Sequence, residues 1–352
     1  MLVDQRPSRY KEPKEHPSRM SMTVSAPHFV QTHFADPDAV RAELQAGLLA
    51  PSAHVSPKFL YDPLGSRLFD AITELPEYYP TRTEASIFQQ HGAAMAQAVP
   101  GGSILLDLGA GSCAKAARLF PVLRPAAYVA IDISVDYLRD TLQQLQQQHP
   151  ALAMLGLGMD FSSRFALGAE VADWLADGPA AQAPRVVFYP GSSIGNFDPV
   201  EALALLKQAH TVCRSGGAGG GLLIGVDRVK PRAVLEPAYD DALGVTAAFN
   251  RNLLLNVNRV LGADFAPAAW RHVGLFNEEA SRIEMHLEAS AQQTVCWPGG
   301  QRVFAAGERL HTESSYKWQP DHFEALLRNA GFGEARHWSD AQGWFSVFWA
   351  PA

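Results

Sequence analysis

The sequence predicts an α/β protein: a doubly wound, mostly parallel sheet with a second, smaller α+β unit inserted. Three observations carry this. Four short apolar runs end in glycine, Asp or Asn: "SILLDLGAG", "AYVAIDIS", "RVVFYPGSSIGN" and "GGLLIGVD". Helical stretches lie between them, at 134–148 and 199–213. Short strands alternating with helices make a parallel sheet covered on both faces. After Asp227 the alternation stops. A helical pattern over 233–261 is followed by strand-like pieces, "RIEMHLEAS", "QQTVCWP" and "QRVFAAGERLHTESSYKW".

The expected division is therefore a parallel-sheet domain over 26–227 plus 318–352, interrupted by an inserted unit over 228–317. Residues 37–50 read as a helix, with Asp38 near its start where a carboxylate suits the dipole. A second helix is expected around "GSRLFDAITEL" and a third over 83–98. Between these two lies "LPEYYPTRTE", which has neither helical nor strand period. It reads as a loop stiffened by Pro76 and Pro80, with Tyr79 packing. The C-terminal "DHFEALLRNAGFGEARHWSDAQGWFSVFWA" reads as a helix and two strands that return to the first sheet.

Composition narrows the function. The chain has 352 residues, 47% hydrophobic and 18% charged, enough to bury a sizeable core. Its net charge of −7, with scattered basic residues, argues against a nucleic-acid partner. The three cysteines, Cys113, Cys213 and Cys296, are odd in number and not at metal-ligand spacing, which fits a reducing cytoplasm. No apolar run approaches the roughly 20 residues of a membrane span. The twelve histidines show no metal spacing, and no metal is expected. His311 reads as a solvated strand end. Residues 1–25 are polar and proline-rich, and are expected to be a disordered tail or to precede a later start at Met20 or Met22. "CRSGGAGGG" lacks the Lys-Ser/Thr of a phosphate loop and reads as a flexible turn.

"LLDLGAGSCAK" ends a strand and opens a helix, and its glycines let backbone approach a ligand. Counting from Gly109 gives G-A-G-S-C-A, without the third glycine of a dinucleotide turn. S-adenosylmethionine, which has no phosphate, fits better. Asp107 supplies an acid before the turn. Asp132 ends the next strand, placed to accept ribose hydroxyls. Asp160 and Phe161 of "GMDF" then suit an adenine amino group and ring face.

At this point longer motifs become recognisable. "FLYDPLGSRLFDAITELPEYYPTRTEA", "YPGSSIGNF", "AYDDALGVTAAFNRNLL", "RIEMHLEA" and "HTESSYKW" together resemble the histidine Nα-methyltransferases of ergothioneine biosynthesis, from about residue 30 onward. The resemblance implies a sheet of class I methyltransferase type and a cytoplasmic, monomeric enzyme that trimethylates the α-amine of L-histidine to hercynine. By matched motif, Gly109, Lys115, Asp132, Asp160 and Phe161 would bind S-adenosylmethionine. Tyr61, Tyr78, Asn196 and Tyr239 would hold the amino acid's backbone groups, with Tyr61 and Asn196 carrying catalysis. Glu313 and Ser315 would meet the imidazole, beside Met285. Relatives usually have Glu at Asp107, often Thr or Ser at Cys113, and often an apolar residue at Ser314. Two other readings stay open: methylation of a different amino acid such as tryptophan, and a non-catalytic binding homologue.

Overall fold

The computed structural model describes residues 26–32, 36–162, 164–178 and 180–352, so the tail expected over 1–25 lies outside the described residues. The chain forms β1 (His28–Gln31), α1 (Pro37–Leu49), α2 (Pro63–Thr73) and α3 (Tyr79–Ala98). The expected alternation follows: β2 (Ile104–Leu108), α4 (Ala114–Leu123), β3 (Ala127–Asp132), α5 (Val135–Gln148), β4 (Ala153–Gly158), α6 (Ala169–Asp177), β5 (Pro184–Tyr189), α7 (Pro199–Arg214) and β6 (Gly217–Asp227). Next come α8 (Arg232–Leu235), α9 (Val245–Leu261), β7 (Trp270–Asn277), β8 (Arg282–Ala289), β9 (Gln293–Trp297), β10 (Gly300–Phe304) and β11 (Arg309–Tyr316). The helix α10 (Pro320–Ala330) and strands β12 (Arg336–Ser339) and β13 (Phe345–Pro351) complete the described chain.

The large sheet runs β1-β4-β3-β2-β5-β6-β13-β12. Its first six members are parallel and the last two antiparallel, so the C-terminus returns to this sheet as expected. The order reverses between β2 and β5, and ligands bind such sheets outside the carboxyl ends at that switch point. The turn after β2 lies there. Strands β2 and β3 are apolar and almost wholly buried, because helices cover both faces.

A second core lies under the three-stranded antiparallel sheet β11-β8-β7. It draws on Leu253 and Val257 of α9, Met285 and Leu287 of β8, and also Leu44 and Leu48 of α1 and Ile72 of α2. The inserted stretch thus shares its core with N-terminal helices, because α9 offers apolar residues on more than one face.

Two local expectations change. α3 begins at Tyr79 rather than 83. Pro80 is tolerated because the first turn has no intrahelical partner for its missing N–H. The glycine run at 217–221 is not a turn but the start of β6. Side chains are excluded at two of its positions: a Cβ on Gly217 would lie 1.9 Å from the Gln182 carbonyl oxygen, and one on Gly221 2.6 Å from Trp349.

Further along β6 the same constraint seats a charge. A Cβ on Gly225 would lie 2.0 Å from Oε1 of the buried Glu84. Gly225→Ala should cost about 1–3 kcal/mol of stability, read from a lowered denaturant midpoint. A wild-type midpoint would show that Glu84 is free to move.

Candidate active site

The carboxyl ends of the parallel strands open into a cleft of about 350 Å³. The glycine turn supplies Gly109 and Gly111, both at positive φ, and the ends of β3 and β4 supply Asp132, Asp160 and Phe161. Asp132 accepts the Gly111 N–H at 2.9 Å through one oxygen and the Ser134 N–H at 2.8 Å through the other. Burial raises its pKa, against the pull of these backbone donors. Each oxygen retains acceptor capacity for a vicinal diol. Asp160 accepts from the Ser162 N–H at 3.0 Å, and the Lys58 ammonium stands 3.5 Å from its other oxygen. The Phe161 ring meets Tyr189 edge-on at 5.8 Å. A carboxylate pair, an aromatic wall and a glycine turn without a phosphate-binding lysine fit a nucleoside.

Asp107 does not line this cleft. It is buried behind the turn and accepts the Tyr128 hydroxyl at 2.7 Å, with burial pushing its pKa to about 7. Lys115 does not line it either. Its ammonium pairs with Glu84 at 3.0 Å, and Glu84 also accepts the Gly191 N–H at 2.8 Å. Lys115 thereby pins the loop that follows β5.

That loop ends in a 3-10 turn, Ser193–Asn196, which brings Asn196 to the cleft. The turn packs against β11: a Cβ on Gly195 would lie 2.8 Å from the Tyr316 carbonyl oxygen. Tyr61 also lines the cleft. Its carbonyl accepts the Ser134 hydroxyl at 2.9 Å. The following Asp62 caps α2 and accepts from Asn252 of α9 at 2.7 Å.

Beside Tyr61, in the second core, aromatic and polar groups are packed together and buried. The Tyr78 and Tyr239 rings lie 6.2 Å apart, Phe69 joins Tyr78 at 6.1 Å and Tyr61 at 5.7 Å, and Phe249 joins Tyr61 at 5.6 Å. Met285 is buried and pairs with Glu313 across β8 and β11. Burial first, and Glu313 in addition, raises the phenols of Tyr61, Tyr78 and Tyr239 well above their usual range.

Glu313 is not the surface carboxylate that strand alternation allows. A register shift between His311 and Glu313 breaks the alternation, so Thr312 and Glu313 are both buried. Oε2 of Glu313 is buried without a hydrogen-bond partner. Burial pushes its pKa up to about 7, and only the Lys317 ammonium pulls against it. His311 is half-buried, its ring 5.2 Å from that of His286, and its Nε2 lies 3.1 Å from the Ser314 hydroxyl. Ser315 contacts the Tyr239 hydroxyl at 2.9 Å, and Lys317 donates to both, at 2.8 Å to Ser315 and 2.9 Å to Tyr239.

Lys317 belongs to a buried cluster that sequence reading missed. Asp227, at the end of β6, pairs with Lys317 at 2.9 Å and with Lys230, and accepts the Tyr79 hydroxyl at 2.6 Å. Burial raises the Asp227 pKa, but the two lysines outweigh it and hold the carboxyl below its usual range. Lys230 is lowered to about 8 by burial. Tyr79 therefore does more than pack. A signal was present: Asp227 closes "GGLLIGVD" as Asp132 closes "AYVAID", and Lys317 directly follows "TESSY".

The model of the histidine-specific, S-adenosylmethionine-dependent methyltransferases matches residues 40–352. The chain belongs to that family. It is 36% identical over 338 residues to a histidine N-alpha-methyltransferase of Mycolicibacterium smegmatis, covering 93% of this chain and 98% of that one. Identity to the Mycobacterium tuberculosis histidine N-alpha-methyltransferase is 36%, covering 88% and 94%. The Neurospora crassa ergothioneine biosynthesis protein 1 is 30% identical over 80% of this chain and 31% of its own length. In this methyltransferase the cleft lies at the carboxyl ends of the parallel sheet, and the buried Glu313 carboxyl belongs to β11 of the small sheet.

The raised Glu313 pKa has a sign. The folded state keeps this proton where the unfolded chain, with its carboxyl at 4.5, has lost it. The stabilisation is full below that value and is lost as pH rises through about 7. Glu313→Gln should gain stability over wild type between about pH 5 and pH 8, approaching roughly 3 kcal/mol, by denaturant titration. A difference independent of pH would show a solvated carboxylate.

Proposed function

We propose that this methyltransferase trimethylates the α-amine of free L-histidine to hercynine, the first step towards ergothioneine, acting as a cytoplasmic monomer. The observation that carries the substrate side is Glu313: a buried carboxylate with an unpartnered oxygen, beside the Ser315 hydroxyl. A buried acceptor of this kind disfavours a side chain that cannot donate to it, because the charge is left unsatisfied. An imidazole N–H satisfies Glu313, and its second nitrogen meets Ser315.

In this reading S-adenosylmethionine supplies a methyl group on a sulfonium. Asp132 holds its ribose, Asp160 and Phe161 its adenine, and Gly109 the close approach of backbone. Lys115 acts by fixing the Gly191 loop through Glu84. The segment 228–317, with α1 and α2 in the same core, forms the substrate-binding unit.

Tyr61 and Asn196, on the cleft wall, orient the amine for in-line displacement, and the Tyr78 hydroxyl donates to the carboxylate, with the Tyr239 ring packed beside it. The nucleophile must be the neutral amine, whereas a free α-ammonium is mostly protonated near pH 7. The phenols stay protonated, since burial raises all three pKa values. They donate and position rather than accept the amine proton, which leaves through the open cleft to water. Tyr61 and Phe69 line the cleft, and aromatic rings there would favour the fixed cation that accumulates.

Mass spectrometry of a reaction with L-histidine and S-adenosylmethionine should show mono-, di- and trimethylated products in sequence, all methyls on the α-nitrogen. Methyl on an imidazole nitrogen would overturn the assignment. Glu313→Ala should weaken histidine binding by about tenfold or more while leaving cofactor affinity intact. It should also lower the histidine-to-tryptophan ratio of kcat/KM, and a ratio that stays put would place selectivity elsewhere.

A further inference from the structure

Lys317 touches neither the cleft nor a solvent path, yet it contacts two of the residues assigned to the substrate. Its side chain is fully buried. An ammonium has three protons and no acceptor. All three have partners: Asp227 at 2.9 Å, the Tyr239 hydroxyl at 2.9 Å and the Ser315 hydroxyl at 2.8 Å. The ammonium cannot turn, because Asp227 is itself fixed by Lys230 and Tyr79. Lys230 is equally committed, to Asp227, the Tyr79 hydroxyl and the Arg228 carbonyl.

This fixes the proton inventory of the Ser315–Tyr239 pair. Each hydroxyl has one proton, and each already accepts from Lys317. They lie 2.9 Å apart, so one donates to the other. Both hydroxyls accept from the same ammonium, so the direction follows from acidity, and the phenol, the more acidic of the two, is the stronger donor. With Tyr239 donating to Ser315, both lone pairs of the serine oxygen are filled. Its remaining proton points away from both partners. Ser315 is then a donor only.

We propose that Lys317 is a positioning residue for side-chain recognition: by filling the acceptor sites of Ser315 and Tyr239 it makes Ser315 an obligate donor, so that the pocket takes a ring with an unprotonated nitrogen at Ser315 and an N–H at Glu313. The pocket therefore selects the neutral imidazole, in one tautomer, and disfavours the imidazolium, which would bring a second N–H against the serine proton. This rests on the histidine reading above and adds which protonation state is bound and what enforces it. The titratable groups around Lys317 are Asp227 and Lys230 from the end of β6 and beyond, Tyr79 from α3, Tyr78 before it, Tyr239 after α8, and Glu313 from its own strand.

The test is calorimetric titration of L-histidine into the full-length enzyme saturated with S-adenosylhomocysteine, from acid to mildly alkaline pH. Wild type should lose histidine affinity as the pH falls below the imidazole value of about 6.5. A triazolyl analogue of histidine, whose ring stays neutral over the range, should show a shallower loss, limited to what protonation of Glu313 near 7 takes from both ligands. Lys317→Met should weaken histidine binding about tenfold at pH 8 and leave S-adenosylhomocysteine affinity unchanged. It should also flatten the acid loss, because the freed serine lone pair can accept the second N–H. Lys317→Met combined with Ser315→Ala should bind no worse than the weaker single variant, since one acts through the other. Additive losses, or a Lys317→Met profile parallel to wild type, would overturn the proposal and make Lys317 a structural residue. Where Lys317→Met fails to fold, Tyr239→Phe reads the same point, since it removes the proton sent to Ser315 and should flatten the profile likewise; an unflattened profile there overturns it. Wild type that does not bind L-histidine would overturn the functional reading itself, whereas binding with an unaltered Lys317→Met profile overturns only this inference.

Discussion

The residues proposed to meet the substrate side chain are organised around one buried carboxylate, Asp227, and the two ammonium groups it holds. Asp227 is the last residue of β6, in the middle of the large sheet, and Lys317 directly follows β11 of the small one. The ion pair at 2.9 Å is therefore a joint between the two sheets, reinforced by bridging of Arg228 with Trp318. Removing one partner of such a pair leaves a charge without solvent, a loss of about 3–5 kcal/mol. Lys317 also acts on Glu313, but burial outweighs it there and raises the Glu313 carboxyl to about 7.

The joint also explains why cleft and pocket are adjacent but distinct. The 3-10 turn carrying Asn196 lies between β5 and β11, with Gly195 allowing contact with the Tyr316 backbone. Ser192, just before it, accepts the Asp227 N–H at 2.8 Å. The turn that carries Asn196 and the Asp227 cluster are thus held by the same few contacts. Tyr61, pinned by Ser134 and by the cap of α2, stands at the boundary. Methyl transfer across such a boundary depends on alignment, where small displacements are costly.

The parallel sheet was legible because each of its inner strands is a short apolar run ending in a turn residue, and the helices between them are long enough to show a period. β1 was not, since four residues at a sheet edge leave no pattern. Asp132 and Asp160, which line the cleft, were visible because they stand at or just past strand ends, a place that sequence spacing marks. Asp107 obeyed the same spacing and faces the other way, to Tyr128, because spacing does not say which side of a turn a carboxylate takes. Glu313 was reached by motif alone: its burial depends on a one-residue bulge, and strand period predicts the opposite face. The lysines were hidden because a buried cation is rare enough that sequence reading gives it to solvent.

A structure determined with L-histidine and S-adenosylhomocysteine bound together tests the account most directly. The imidazole should lie behind Tyr61, its N–H within about 3 Å of a Glu313 oxygen and its other nitrogen at the same distance from the Ser315 hydroxyl. The α-amine should face the cofactor sulfur beside Tyr61 and Asn196, with the Lys317 contacts to Asp227, Tyr239 and Ser315 unchanged. An imidazole held in the open cleft, or turned so that Glu313 meets the α-amine, would contradict it.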